Sequence, residues 1–326
     1  MRIGIDARKI ADFGIGTYIR GLLGALVELG GDEYVAFAPA DAKLPDGVEH
    51  IAIDAPHYSV RELIAVGRAA NRARLDVFHA PHYVVPFTRV PVVVTIHDLI
   101  HLHQPLRNPI ARAYARTMLR RATRRAKRVL TVSEAVRVQI RDELGCDAIV
   151  TPNGIDPVFA PGIRAAAGRP YFLCVANDKP HKNVDAVVNA IARVPDAELV
   201  LVGAPFARFR ERERVVVRGF VVVDELVNLY RGAIALVMPS REEGFGLPAA
   251  EAMACGTPVI TSNAPALVEI TGDAVLHAED DALADAMTRI ARDEELRATL
   301  ASRGLERAKT FTWTRCAALT RDAYRA

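Results

Sequence analysis

Short β-branched runs alternate with amphipathic segments along most of the chain. After an opening strand, RIGIDA, the positions Ile15, Ile19, Leu22, Leu23, Leu26 and Leu29 recur at helical spacing and predict a helix. The runs YVAFA, HIAI, DVFHA, PVVVTIHDL and RVLTVS predict further strands, the later ones separated by helical patterns near 60–74, 108–127 and 134–144. Val92–Ile96 is apolar without alternation, which marks a strand buried on both faces, as in a parallel sheet covered by helices. Ser133 and Gly145 stand where an N-cap and a C-cap would bound the third of those helices. Residues 157–170, PVFAPGIRAAAGRP, break the pattern with three prolines and two glycines and predict a linker. Beyond it the alternation resumes. Strands YFLCVA, ELVLVG, RVVVRGF, IALVMP and PVIT are interleaved with helices over 183–194, 224–232 and 247–255, and helices run from about 281 to the end. Two doubly wound α/β domains follow from this order. Ligands of such sheets bind beyond the carboxyl ends of the strands, so the cleft between domains is the expected site.

Composition narrows the class. A chain of 326 residues, 51% hydrophobic and 25% charged, is an ordinary globular protein too long for one comfortable core. No window offers the roughly 20 apolar residues of a membrane-spanning helix, and Asp6 and Arg8 interrupt any signal-peptide pattern at the N-terminus. Cys146, Cys174, Cys255 and Cys316 are scattered, which fits reduced, mostly buried thiols of a cytoplasmic protein. His79, His82, His97, His101 and His103 cluster in sequence, but their spacing demands no metal site, and none is expected. His97, at the carboxyl end of a strand, is the histidine best placed for function.

The net charge of +3 hides one asymmetry, because residues 107–128 hold nine basic side chains and no acidic one. Arg112, Arg116, Arg120, Arg124 and Arg128 recur every four residues, opposite a narrow strip of Ala111, Ala115, Met118, Leu119, Ala122 and Ala126. The strip suits close packing on a sheet. The basic face is either simply solvated or a reversible contact for anionic lipid headgroups or a phosphate-bearing acceptor. No aromatic side chains interleave with it for base stacking, so nucleic acid is not an expected partner.

The stretch SREEGFGLPAAEAMACGTPVI (240–260) carries the clearest chemistry. Glu243 lies in a glycine-rich loop between a buried strand and a helix whose first turn contains Pro248, and Glu251 lies in that helix. The helix N-terminus offers unpaired N–H groups and partial positive charge, and bare Gly244 and Gly246 let a diphosphate approach the amides of Phe245, Gly246 and Leu247. Glu243 and Glu251 would then accept hydrogen bonds from hydroxyls on either side. A tight turn with a solvated Glu243 and a capping Glu251 accounts for the same residues equally well.

The E-x7-E pattern in EEGFGLPAAEAMACGTPVI resembles the signature of retaining glycosyltransferases of family 4. The resemblance continues, in the family's order, through FGIGTYIRGLL, VVTIHDL, TPNGID, KPHKN, RGFV with DELVNLY, and the last helix after FTW. It implies an α/β chain of GT-B architecture, two Rossmann-like doubly wound domains facing a central cleft. Residues 1–160 would form the acceptor-side domain and 161–311 the nucleotide-sugar domain, with the helix 312–326 packing back on the first.

By resemblance, Glu243 holds the donor sugar's hydroxyls, Glu251 the nucleotide ribose, and the amides of Phe245, Gly246 and Leu247 the diphosphate. Lys182 places its ammonium on the leaving phosphate, Gly14 and Gly16 bring backbone close to the donor, and His97 faces the transferred sugar. The implied activity is transfer of a mannose- or glucose-type hexose from a nucleotide-diphosphate sugar to a glycan or lipid-linked acceptor, in cell-envelope or exopolysaccharide synthesis. It needs no cofactor and no metal. Ala176 stands where the family usually has an arginine, and His181 precedes the lysine, which shifts phosphate neutralisation towards Lys182, helped by Lys179 or His181. A nucleotide-sugar epimerase of the same fold and a non-catalytic nucleotide-sugar-binding partner are the alternatives.

Overall fold

A computed structural model describes residues 1–55, 59–103, 109–163 and 168–326. Arg107 and Asn108 of the basic segment, and 164–167 of the predicted linker, lie outside the described residues. The chain divides into two compact units, Met1–Gly154 with Thr312–Ala326, and Ile155–Phe311. The expected boundary at 160/161 thus falls inside the second unit.

The first unit begins with β1 (Arg2–Asp6), α1 (Ile15–Leu29), β2 (Glu33–Ala38), β3 (Glu49–Ala52), α2 (Val60–Arg72) and β4 (Val77–Ala80). It continues with β5 (Val92–Ile96), α3 (Ile100–His103), α4 (Pro109–Arg125), β6 (Arg128–Thr131), α5 (Glu134–Leu144) and β7 (Ile149–Val150). All seven strands are parallel, in the order β3-β2-β1-β4-β5-β6-β7. One face of the sheet packs Ile3 and Ile5 against Tyr18, Ile19, Leu22, Leu23 and Leu26 of α1, with Cys316, Ala317 and Tyr324 from the end of the chain. The other face packs Phe78, Val92 and Val94 against Ala115, Leu119 and Ala122. The alanine strip of α4 therefore does cover the sheet, and its arginine face is left outward. Ser133 caps α5 through Val136 N–H, and Gly145 ends it at φ 64°, the left-handed turn a glycine adopts without penalty.

The second unit contains β8 (Tyr171–Val175), a 3-10 turn at Pro180–Lys182, α6 (Val184–Ile191), β9 (Glu198–Val202), β10 (Val215–Gly219) and α7 (Val223–Gly232). Then come β11 (Ala235–Met238), α8 (Leu247–Ala254), β12 (Val259–Thr261), α9 (Pro265–Thr271), β13 (Leu276–His277), α10 (Leu283–Arg292) and α11 (Glu294–Ala308). Its six parallel strands run β10-β9-β8-β11-β12-β13. The last helix, α12 (Trp313–Arg325), belongs to the first unit and packs on α1. Its Trp313 fills notches left by two glycines: a Cβ on Gly21 would come within 2.1 Å of the indole, and one on Gly154 within 2.2 Å of Trp313 N.

In both sheets the strand order reverses once, between β1 and β4 and between β8 and β11. At such a point the two connections leave the strands' carboxyl ends in opposite directions and open a crevice.

Candidate functional site

In the second unit the two connections at the reversal are Ala176–Asn183, after β8, and Pro239–Gly246, after β11. They are tied to each other along their length. Arg241 N–H donates to His181 O at 2.8 Å, and Asn183 Nδ2 donates to Pro239 O at 3.2 Å and to Asp280 Oδ1 at 2.6 Å. Asn183 holds φ 53°, a left-handed conformation that asparagine tolerates better than most side chains, and so turns the 3-10 segment into α6. The result brings Lys182 to Glu243. Its Nζ donates to Glu243 Oε1 at 2.6 Å, with the side chains 16% and 8% exposed.

Beside this pair begins α8. Gly246 precedes it at φ 91°, and no side chain caps it. The amides of Phe245, Gly246 and Leu247 make no hydrogen bond among the described residues, while Gly246 O accepts from Ala249 and Ala250. Three N–H groups are thus left for an anion at the positive end of the helix dipole. The bareness at Gly246 has a second cause that the sequence did not show. Besides its φ, a Cβ there would meet Leu267 Cδ2 at 2.5 Å, so a side chain would also have to displace that leucine. Phe245 points inward, 4% exposed, with its ring edge-on to Phe311 at 5.3 Å, and can offer a ligand only its backbone.

Glu251, one turn into α8, faces a different neighbour. Its Oε2 accepts from Tyr230 Oη–H at 2.9 Å. Burial raises the Glu251 carboxyl to about 7 from its ordinary value; the Tyr230 bond opposes this and the Asp156 charge adds to it. Neither Tyr230 nor Asp156 was singled out as a site residue from sequence. Tyr230 lay in the DELVNLY run, but nothing in its spacing ties it to a glutamate in the next helix.

Ala176 donates to Val202 O, and its own carbonyl crowds Gly203, where a Cβ would come within 2.5 Å. Arg208, which is exposed, pairs with Asp178 and Asp185. Lys179 is exposed, and His181 is buried.

The remaining predicted residues lie in the first unit, also beyond strand carboxyl ends. His97 follows β5; its Nε2 donates to Pro81 O at 3.0 Å, and its ring packs edge-on against Tyr18 at 4.7 Å. A carbonyl can only accept, so the proton sits on Nε2 and the ring presents Nδ1 as an acceptor. Burial lowers its pKa, which keeps it neutral. Gly14 precedes α1 at φ 62° with open space around it. Gly16 is bare for a local reason: a Cβ would lie 2.6 Å from Ile10 O and 2.9 Å from Lys9 O.

Near them lies a buried ionic cluster that the sequence did not announce. Arg8 Nε and Nη2 donate to Asp6 Oδ1 and Oδ2 at 2.8 and 2.6 Å, and Nη2 also reaches Glu62 Oε1 at 2.7 Å. His82 accepts from Val84 N–H at Nδ1 and turns Nε2 to Asp6 at 3.5 Å. Of the clustered histidines, His79 bridges Tyr324 and Thr95, and His103 pairs with Glu143. Among the described residues no three His, Cys, Asp or Glu side chains converge on a possible metal position.

Two doubly wound parallel sheets, each with one reversal of strand order, are the architecture of the GT-B fold. Residues 160–307 match the family described as glycosyl transferases group 1, and residues 14–159 match glycosyltransferase family 4. Over 283 residues the chain is 30% identical to the O-antigen chain mannosyltransferase B of Escherichia coli, covering 76% of this chain and 74% of that protein. It is 31% identical over 204 residues to a D-inositol 3-phosphate glycosyltransferase of Stackebrandtia nassauensis, covering 52% of this chain and 46% of that one. The fold matches sucrose-phosphate synthase from Thermosynechococcus elongatus with a TM-score of 0.86 at 22% identity, over 100% of this chain and 98% of that one. It also matches Anabaena HepE, solved in complex with UDP-glucose, with a TM-score of 0.79 at 18% identity over 100% of both chains. The chain belongs to glycosyltransferase family 4, and it is a hexosyltransferase of GT-B fold.

Proposed function

We propose that this enzyme transfers a mannose- or glucose-type hexose, with retention of anomeric configuration, from a nucleotide-diphosphate sugar to a glycan or lipid-linked acceptor of the cell envelope. One observation carries the reading: Lys182 and Glu243 meet at the strand reversal of the second unit, beside three unpaired amides at the start of α8. The sugar class and envelope setting are supported by the Escherichia coli relative, named for O-antigen mannosyl transfer, and by the UDP-glucose complex of HepE.

In this reading the diphosphate takes the amides of Phe245, Gly246 and Leu247, and Lys182 turns from Glu243 to the phosphate that leaves. Glu243, released from the ammonium, accepts from the sugar's hydroxyls. As the glycosidic bond to the phosphate lengthens, negative charge grows on the leaving oxygens. The oriented amides and the Lys182 ammonium stabilise it without reorganising. His97, neutral and fixed by Pro81, accepts a hydrogen bond from a hydroxyl of the sugar through Nδ1. Gly14 and Gly16 bring the backbone before α1 to the same sugar. Glu251 receives the ribose. The outward arginines of α4 hold the enzyme at an anionic bilayer that presents the acceptor; no helix among the described residues is long and apolar enough to cross one.

The reading is tested by incubating the enzyme with GDP-mannose, UDP-glucose and a lipid extract, then analysing products by mass spectrometry and anomeric NMR. An α-linked product from an α-linked donor is expected. Epimerised nucleotide sugar without transfer, or an inverted product, would overturn it.

A further inference from the structure

We infer that Tyr230 is the positioning residue of the ribose site: its hydroxyl holds Glu251 Oε2 and leaves Oε1 turned out for the vicinal diol of a nucleotide. This rests on the assignment of Glu251 to the ribose. Tyr230 is fully buried on α7, and its placement is fixed from three sides. Its ring meets Phe159 edge-on at 5.9 Å, its carbonyl accepts from Thr257 Oγ1 at 2.8 Å, and its hydroxyl donates to Glu251 at 2.9 Å. Glu251 Oε1 makes no hydrogen bond among the described residues and is not sealed from solvent. A carboxylate held by one oxygen has lost its freedom to swing, and its other oxygen is aimed before the ligand arrives.

The polarity of the bond is also fixed. Burial and the neighbouring Glu251 charge push the Tyr230 hydroxyl far up, so it remains a donor. Glu251 must then be the acceptor, which favours its ionised form against the burial that disfavours it. The groups that act on this pair are few. Asp156, exposed in the segment after β7, opposes ionisation of Glu251. Cys255 and Cys174, each pushed up to about 12 mainly by burial, remain uncharged beside Tyr230, and Arg231 acts on Cys255. A ribose diol donates two hydrogen bonds and needs a charged acceptor to bind well. Tyr230 therefore sets both the direction and the charge of the acceptor.

The experiment compares UDP, GDP and ADP with their 2′-deoxy analogues by calorimetry between pH 5.5 and 8.5. The ratio of ribo to deoxy affinity cancels titration of the phosphates. Wild type should prefer the ribo form of its best nucleotide by about tenfold at pH 8, the scale of one charge-assisted hydrogen bond. That preference should be half lost near pH 7. Tyr230→Phe should bind the deoxy form as wild type does, but prefer the ribo form by about threefold or less, with the half-loss moved to higher pH. Asp156→Asn, on an exposed position, should move the half-loss to lower pH, and gives an independent reading if Tyr230→Phe does not fold. A Tyr230→Phe variant with unchanged preference and midpoint, while Glu251→Ala loses the preference, overturns the positioning role and leaves the ribose assignment standing. A midpoint unmoved in Asp156→Asn counts equally against it. No preference in wild type overturns both.

Discussion

The two units solve the same geometric problem in opposite ways. Each has a parallel sheet with one reversal of strand order, and each gathers charged side chains beyond the carboxyl ends beside it. In the first unit that place is filled. Asp6, Arg8, Glu62 and His82 are all buried, and the carboxylates are taken up by the guanidinium. Burial would push Asp6 up, but Arg8 and His82 hold it well below the usual carboxylate range. In the second unit there is one ion pair, Lys182–Glu243, with open helix amides beside it. The first arrangement satisfies its carboxylates from within, although Arg8 Nη1 and His82 Nε2 are sealed in without a hydrogen-bond partner among the described residues. The second has helix amides without a protein partner beside its ion pair, a place suited to an anion. Charge density alone therefore does not mark a binding site: the first unit's unpaired donors are sealed inside an ionic cluster, whereas the second unit's stand at a helix N-terminus, where an anion binds.

The largest expected effect tests the filled side. Arg8→Ala would leave two buried carboxylates without their cation, and stability should fall by about 3–5 kcal/mol, enough to threaten folding. Lys182→Ala should cost less, about 1–3 kcal/mol of stability, because it leaves one largely buried carboxylate without its cation rather than two fully buried ones. Chemical denaturation of both variants checks the contrast. Equal losses would mean that the second unit's pair is as structural as the first unit's.

Next come the ligand effects. Lys182→Ala should weaken nucleoside diphosphate binding by about 1.5–3 kcal/mol, the value of a hydrogen bond to a charged group. Glu243→Ala should act the other way on the free diphosphate, because it releases the ammonium: binding of UDP or GDP is held or improved, while the full nucleotide sugar loses its advantage. Titrating each variant with both ligands separates the roles. Equal losses for both ligands in Glu243→Ala would contradict the sugar assignment.

How far the sequence anticipated this difference can be seen residue by residue. Apolar period gave nearly every strand and helix, because each element must bury one face. It missed α3, α9 and β13, four, seven and two residues long, which are too short to show a period. The predicted donor residues of the second unit do lie together, since a strand–loop–helix with Glu-rich and Gly-rich positions is local in sequence. The Arg8–Glu62 and Tyr230–Glu251 contacts join residues 54 and 21 positions apart through the fold, and no local spacing reveals such pairs.

Glu251 offers a test of smaller size in which stability and binding diverge. Its folded pKa, near 7, lies above the ordinary 4.5, so the folded protein holds this proton more tightly than the unfolded chain. The contribution to stability is greatest below pH 4.5, falls as pH rises towards 7, and stays low above it. Ionised Glu251 thus costs the unliganded protein about 1–3 kcal/mol at pH 8. Glu251→Gln should raise the melting temperature at pH 8 and have little effect near pH 5, and it should weaken nucleotide binding at pH 8 far more than near pH 5, where the wild-type carboxyl is already neutral. A variant less stable at pH 8 would show that the carboxylate is a structural acceptor for Tyr230 rather than a group held ready for a ligand.

The smallest expected effect per residue lies on the outer face of the first unit. Arg116, Arg120 and Arg124 are exposed at four-residue steps along α4 and have no ion-pair partner among the described residues. Arg121, beside them, lies 4.5 Å over the ring of Phe87, which is itself half exposed. Phe87 N–H donates to Leu63 O of α2, and that helix exposes Val60 and Ile64. Cations next to exposed apolar side chains suit a bilayer surface, where arginines meet phosphates and the apolar groups enter the headgroup boundary. Each arginine should contribute about 1 kcal/mol on an anionic membrane. Co-sedimentation with phosphatidylglycerol vesicles should therefore exceed that with phosphatidylcholine and fall between 50 and 500 mM salt as screening grows. Changing Arg116, Arg120 and Arg124 to Glu should abolish it while leaving diphosphate binding intact, since that property belongs to the other unit. Binding indifferent to lipid charge and to salt would make the arginine face merely solvated.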